Sequence, residues 1–132
     1  DFGTGTGILA ILAHRLGANT LLAVDNDDWC IENATENVIA NHAETIIIEK
    51  VTSAFQHRSF DIILANVNRH IIEANMMELT QVSHDQSILI LSGLLLEDEP
   101  DMIQLAKQHQ WKAIQSLPLN GWVSILFNKT PQ

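Results

Sequence analysis

An aspartate and three regularly spaced glycines open the chain. Asp1-Phe2-Gly3-Thr4-Gly5-Thr6-Gly7 runs directly into the apolar stretch Ile8 to Leu16. Glycine lets a backbone turn tightly and lets a ligand approach where a Cβ would clash. A helix starting at Ile8 would aim its unpaired N–H groups and partial positive charge back at that ligand. A P-loop is excluded, because no Lys-Ser/Thr pair follows the glycines. A dinucleotide fingerprint would place Gly or Ala three residues after the second glycine, where Ile8 stands; the third glycine comes at Gly7 instead. Asp1 is a poor neighbour for a pyrophosphate and a good one for a cationic amino group. Together these features favour S-adenosylmethionine over NAD, with Asp1, Gly3, Thr4, Gly5 and Gly7 as candidate cofactor contacts. The bland alternative is a glycine-rich turn with no ligand.

Four further positions join them. Asp25 closes the stretch Thr20 to Asp25 (TLLAVD), where an acid can accept both ribose hydroxyls; Asn26 follows it, and Asp27 or Asp28 is expected to cap the next helix. Ser53, with Ala54, follows the third apolar segment, where an adenine edge would lie, an assignment by position alone. Asn66, in Ala65-Asn66-Val67-Asn68-Arg69, ends another apolar segment at the switch point where ligands bind in open α/β sheets. Its carbonyl oxygen could accept a hydrogen bond from a substrate amine and aim the amine lone pair at a methyl group. The competing role for Asn66, a helix cap, is better filled by Asn68.

The elements that must position these residues alternate as apolar strands and amphipathic helices, implying a largely parallel α/β sheet. The pattern predicts a helix from Ile8 to Leu16 stopped by Gly17, and a second from Asp27 or Asp28 to about Asn41. It predicts strands at Glu44 to Lys50, buried on both faces through Ile46, Ile47 and Ile48, at Phe60 to Ala65 and at Ser87 to Leu91. Arg69 to Val82 and Glu97 to His109 read as helices, the latter with Pro100 in its first turn. Lys112 to Ser116 and Trp122 to Asn128 read as a hairpin turning at Asn120-Gly121. Six strands are readable. A doubly wound sheet also wants a central strand ending at Asp1. Its absence leads to the expectation that the chain is an N-terminally truncated domain, residues 1–132, or that the open sheet pairs with another chain, which would be self-association.

Totals bound the remaining classes. At 132 residues and 46% hydrophobic the chain is expected to be one domain with a sizeable core. No apolar run approaches ~18 residues, so no membrane span is expected. A net charge of −9 argues against direct binding to nucleic acid, which needs Lys and Arg on phosphates, and is compatible with a basic protein partner. One cysteine, Cys30, excludes an internal disulfide and fits a cytoplasmic location. The six histidines show no metal-ligand spacing. Trp29, Trp111, Trp122 and the pair Met76-Met77 read as packing residues.

Asp1 to Ala13 (DFGTGTGILAILA), Ala23 to Trp29 with Glu32-Asn33 and Glu36-Asn37, Phe60 to Arg69 (FDIILANVNR), and Leu91-Ser92-Gly93 with Glu97-Asp98 resemble the PrmA family, in order and over nearly the whole chain. The glycine loop is common to class I methyltransferases; the Ala-Asn-x-Asn-Arg and Leu-Ser-Gly stretches are more specific. The resemblance implies a Rossmann-like open sheet, mostly parallel with a C-terminal antiparallel strand. It implies methyl transfer from S-adenosylmethionine to amino groups of large-subunit ribosomal protein eleven, a basic substrate. Gly3 and its loop would then hold the methionine part, Asp25 the ribose, and Asn66 would lie next to the transferred methyl. The family's threonine upstream of the loop and its N-terminal recognition domain have no counterpart in the sequence, and Ser83-His84-Asp85-Gln86 replaces a Pro-Gly-Gly-like turn. Three alternatives stand beside this reading: a class I methyltransferase acting on a small molecule or nucleic acid, a cofactor-binding fragment without turnover, and an NAD-dependent oxidoreductase, which Ile8 disfavours.

Overall fold

A computed structural model describes residues 1–51 and 58–131. The chain forms two compact units, Asp1–Ser53 and Ala54–Gln132.

The first unit contains helix α1 (Ile8–Arg15), strand β1 (Leu22–Asp25), helix α2 (Asp28–Ala40) and strand β2 (Ile47–Lys50). β1 and β2 pair in parallel, Leu22 opposite Ile47 through Asp25 opposite Lys50. The other edge of β1 takes the first residues of the chain: Phe2 bridges Val24 in parallel, and Thr4 N–H donates to the Val24 carbonyl at 2.9 Å. Gly17, at φ 100°, ends α1 as predicted, its N–H bonded to the His14 carbonyl. Asp27, not Asp28, is the cap of α2: its Oδ1 accepts from Trp29 N–H at 2.8 Å and Cys30 N–H at 3.3 Å.

The core of this unit is Ala10, Ile11, Ala23, Val38, Ala43 and Ile46, with Leu21 and Ile48 packed against it. Here the predicted double-faced burial of Ile46–Ile48 fails. Strand side chains alternate, so Ile46 and Ile48 meet the core while Ile47 is 52% exposed. Trp29 fails as a packing residue for a similar reason. The buried positions of α2 are Ala34 and Val38; five residues before Ala34, Trp29 points about 140° away from them.

The second unit contains strand β3 (Phe60–Asn66), helix α3 (Arg69–Gln81), strand β4 (Ser83–Leu95), a 3₁₀ turn (Leu96–Asp98), helix α4 (Glu99–Gln108) and the hairpin β5 (Trp111–Leu119) and β6 (Trp122–Lys129). Its sheet runs β3-β4-β6-β5. β3 and β4 are parallel; β6 is antiparallel to both β4 and β5. Each unit thus contributes a parallel pair, and the antiparallel strands are confined to the C-terminal part. Asn120 and Gly121 take φ 51° and 82°, the two positive values a type I′ turn requires. Leu89, Leu91, Leu94, Ile125, Phe127 and Trp111 are fully buried, and Trp111 Nε1 donates to Thr80 Oγ1 at 2.9 Å. Met76 is buried with Ile72 and Leu79, but Met77 is exposed, as is Trp122.

Lys129 continues the inward-facing series Val123, Ile125, Phe127. Its ammonium donates to Gln110 Oε1 at 2.6 Å and to the His109 carbonyl at 3.4 Å, just past the end of α4, and lies 5.7 Å from the centre of the Trp111 ring.

β4 begins earlier than predicted, because Ser83 pairs with Phe60 before a register shift carries the ladder on to Ile88 opposite Ile62. The residues between bulge out of the ladder with Gln86 at φ 78°, held by Ser87 Oγ, which donates to the Phe60 carbonyl at 2.7 Å and accepts from His84 N–H. Ser83-His84-Asp85-Gln86 is therefore an ordered irregularity at the start of β4, made without Pro or Gly. His84 Nδ1 lies 2.7 Å from the Asp85 carbonyl oxygen, and Nε2 lies 2.9 Å from Asp61 Oδ1. Both partners accept, so both ring nitrogens must donate, and these bonds raise the His84 pKa.

Two expectations follow. Because the folded-state pKa is raised, the His84 contribution to stability is full below the unfolded value of ~6.5 and is lost as pH rises through the folded value. An NMR titration of the ring should give a midpoint above 6.5, lowered in Asp61→Asn; a wild-type midpoint at or below 6.5 would contradict the double-donor arrangement. Asp27→Ala should cost about 1 kcal/mol through loss of the α2 cap, read by denaturant melts of the two proteins.

Candidate functional site

In the first unit the glycine loop is built as the sequence suggests. Gly3, Gly5 and Gly7 have φ 69°, 56° and 82°. A Cβ on Gly7 would stand 3.4 Å from Ala34 Cα and Cβ, so this glycine lets the loop lie on α2; a Cβ on Gly5 would meet nothing within 4 Å, which leaves room for a ligand. Asn37 of α2 grips the loop from the side, its Nδ2 donating to the Thr6 carbonyl at 2.8 Å. Thr4 is buried, and its hydroxyl donates to Asp1 Oδ2 at 2.7 Å.

Asp25 stands at the end of β1 with both carboxylate oxygens in use: Oδ2 accepts Gly5 N–H at 3.0 Å and Oδ1 accepts Asp27 N–H at 3.1 Å. A carboxylate oxygen has a second lone pair, so each can still take a hydroxyl. Asn26, next in the chain, is exposed. Cys30 lies against this group: burial first, then the charges of Asp25 and Asp27 and a hydrogen bond to Asp25, push its thiol pKa up. α1 begins at Gly7 with no side-chain cap and no acid in its first turn, leaving its N-terminal field open.

The loop from Asp1 to Gly7 contains no Lys or Arg. A group bound there meets the carboxylates of Asp1 and Asp25 and the amides of the loop, an environment that suits ribose hydroxyls and an ammonium. A groove of about 460 Å³ between α1 and α2, lined by Thr6, Ile8, Ile11, Leu12, Arg15, Asn37 and Asn41, borders the loop but includes neither Asp1 nor Asp25. Ser53 and Ala54, the positions proposed for an adenine edge, lie outside the described residues.

In the second unit Asn66 ends β3, exposed and opposite Ser92 in the parallel register. Asn68 is the N-cap residue of α3, but its side chain makes no capping bond. Sequence reasoning missed two neighbours. Gly93, at φ 74°, passes so close that a Cβ there would lie 2.5 Å from Asn66 Oδ1. Arg69 donates from Nε to Glu73 at 2.7 Å, from Nη1 to Asp98 at 2.9 Å and from Nη2 to Asp101 at 3.0 Å. Both lay within stretches read from the sequence, but nothing local marks a contact between segments so far apart. Among the described residues no group of three or more His, Cys, Asp or Glu is placed to hold a metal ion, and no helix is long and apolar enough to cross a membrane.

The family model for ribosomal protein L11 methyltransferase (PrmA) matches residues 1–130. The chain belongs to the PrmA family. Ribosomal protein L11 methyltransferase of Phocaeicola vulgatus is 34% identical over 129 residues, which are 96% of this chain and 46% of the relative. The chain thus spans about half the length of the curated PrmA relatives it matches. The crystal structure of ribosomal protein L11 methylase from Lactobacillus delbrueckii subsp. bulgaricus superimposes with a TM-score of 0.93 at 29% identity, covering 99% of this chain and 68% of that one. An RNA methyltransferase from Salinibacter ruber, solved with S-adenosyl-L-homocysteine, shares the fold alone: TM-score 0.77 at 12% identity, covering 100% of this chain and 80% of that one. The class I methyltransferase fold expected from the sequence is therefore the fold found, an α/β arrangement with its antiparallel strands at the C-terminal end.

Proposed function

We propose that residues 1–132 serve as the methyltransferase domain of an S-adenosylmethionine-dependent enzyme acting on amino groups, lysine or N-terminal, of ribosomal protein L11. One observation carries the cofactor half: Asp25 binds the Gly5 amide beside a glycine loop that leaves open space and offers no cation. Asp1, Gly3, Thr4, Gly5 and Gly7 would surround the methionine part, with the open end of α1 facing its carboxylate. Asp25 would accept the ribose hydroxyls, Asn26 would flank them, and Ser53 would border the adenine.

The cofactor would supply a methyl group on a sulfonium, an electrophile with a neutral leaving group. The chain's own task is then alignment. An attacking lysine must first lose a proton, since its ordinary pKa is ~10.4. Asn66 Oδ1 would accept an N–H of the neutral amine and point its lone pair along the line of displacement. In that displacement an N–C bond would form as the C–S bond breaks, and the proton left on nitrogen would pass to water. Holding the two reactants in line is the main source of acceleration in such a scheme. A basic substrate suits a chain of net charge −9, and such a substrate would be met in the cytoplasm.

Titration calorimetry with S-adenosylhomocysteine tests the cofactor half. Asp25→Ala should weaken binding at least tenfold, about 1.4 kcal/mol; equal affinity in the two proteins would remove the ribose assignment. For the chemical step, Asn66→Ala should lower methyl transfer to ribosomal protein L11 by about 100-fold while cofactor affinity stays within threefold. A parallel loss of both would sink the role given to Asn66.

A further inference from the structure

The C-terminal ends of the adjacent parallel strands β3 and β4 lie side by side, Asn66 opposite Ser92. Asn66 is the last residue of β3, which runs on towards α3; Gly93 lies within β4, at the irregularity between Leu91 and Leu94, ahead of the 3₁₀ turn Leu96–Asp98. An ideal Cβ on Gly93 would stand 2.5 Å from Asn66 Oδ1, 3.3 Å from the Val67 carbonyl oxygen and 3.5 Å from Val67 N. The first distance is far inside van der Waals contact, and Gly93 also sits at φ 74°, where L side chains are strained.

Side-chain bonds also tie the two segments to each other just beyond these strand ends. Arg69, three residues after Asn66, is bonded to Asp98, five residues after Gly93, at 2.9 Å and to Asp101 at 3.0 Å. Asp98 in turn accepts Leu95 N–H at 3.2 Å. The atom nearest such a Cβ is the end of the Asn66 side chain, which can turn aside without moving the backbone.

We propose that Gly93 is a positioning residue: the hydrogen that stands in place of its side chain is what allows the Asn66 carboxamide to keep its orientation at the end of β3. This rests on the role proposed above for Asn66 in aligning a substrate amine. Any side chain at position 93 would turn Oδ1 away from its direction while leaving the glycine loop of the first unit untouched.

The test uses two variants with different backbone demands. Gly93→Ala adds a Cβ and backbone strain; Gly93→Asn adds the same Cβ, but Asn tolerates positive φ better than other L residues. Both should lower kcat for methylation of ribosomal protein L11 at least tenfold, with S-adenosylhomocysteine affinity within twofold of wild type. Both should also shift the Asn66 side-chain ¹⁵N–¹H signal, which reads the carboxamide without turnover. A loss in Gly93→Ala that is absent from Gly93→Asn would assign the effect to backbone strain and overturn the proposal, as would an Asn66 signal unmoved in both. A wild-type chain that binds cofactor but methylates nothing would defeat the functional reading, and the amide signal would still decide the positioning. An active wild type with both variants within twofold in kcat would defeat the positioning and leave the functional reading standing.

Discussion

The Asp25 carboxylate accepts two backbone N–H groups from different directions, and the first unit is organised around that fact. Gly5 N–H comes from the glycine loop and Asp27 N–H from the approach to α2. One side chain at the end of a strand thereby sets the relative placement of the two segments that leave and re-enter the sheet edge. The loop can comply because its glycines take positive φ, and it is held down on its far side by Asn37 and by the pairing of Thr4 with Val24. Asp25, Asp27 and Asp28 would repel one another if each were merely solvated. Backbone N–H groups bind the first two, and Lys50 pairs with Asp28 at 2.8 Å. Charge-assisted bonds of this kind are about twice as strong as neutral ones, so the acids brace the loop.

The second unit solves the same problem with side chains. A guanidinium bonded to three carboxylates joins the start of α3 to the turn and helix that follow β4. The pairs to Glu73 and Asp101 are partly exposed and contribute little to stability singly. Their value lies in geometry, since the planar fork of Arg69 can satisfy several carboxylates only in a narrow range of positions. Backbone amides fix the candidate cofactor residues; a shared cation fixes the surroundings of Asn66.

Most of the fold was legible because its signals are local. Gly17 as a helix stop, Asp27 as a cap, Pro100 in a first turn and Asn120-Gly121 as a hairpin turn each depend on backbone angles and bonds within a few residues. The six strands and four α-helices among the described residues follow the predicted order for the same reason. What failed depends on partners distant in sequence. Ile47 and Trp29 are exposed because burial is decided by which face a neighbour covers, and composition does not report that. β4 starts at Ser83 because of Phe60 across the ladder. The candidate site divides along the same line. Asp1, Gly5 and Asp25 belong to a compact motif that the sequence marks out as one candidate group, and hydrogen bonds join Asp25 to Gly5 and Thr4 to Asp1. Gly93 and Arg69 matter through contacts with segments some thirty residues away, and no single stretch of sequence contains that information.

Lys129 has a consequence for how β6 finds its place. Val123, Ile125 and Phe127 face inward together with it, so sliding the strand by one residue would expose all of them and is opposed by hydrophobicity alone. Sliding by two residues would keep the apolar face inward, and greasy side chains distinguish poorly between those alternatives. The ammonium does distinguish them. It is tolerated where it is because the His109 carbonyl, at the negative end of α4, and Gln110 receive it. A shift of two residues would carry it roughly 7 Å from those acceptors and strand an uncompensated charge. A single inward-pointing cation thus acts as a vernier mark on the strand, a second determinant of alignment beside the Asn120-Gly121 turn.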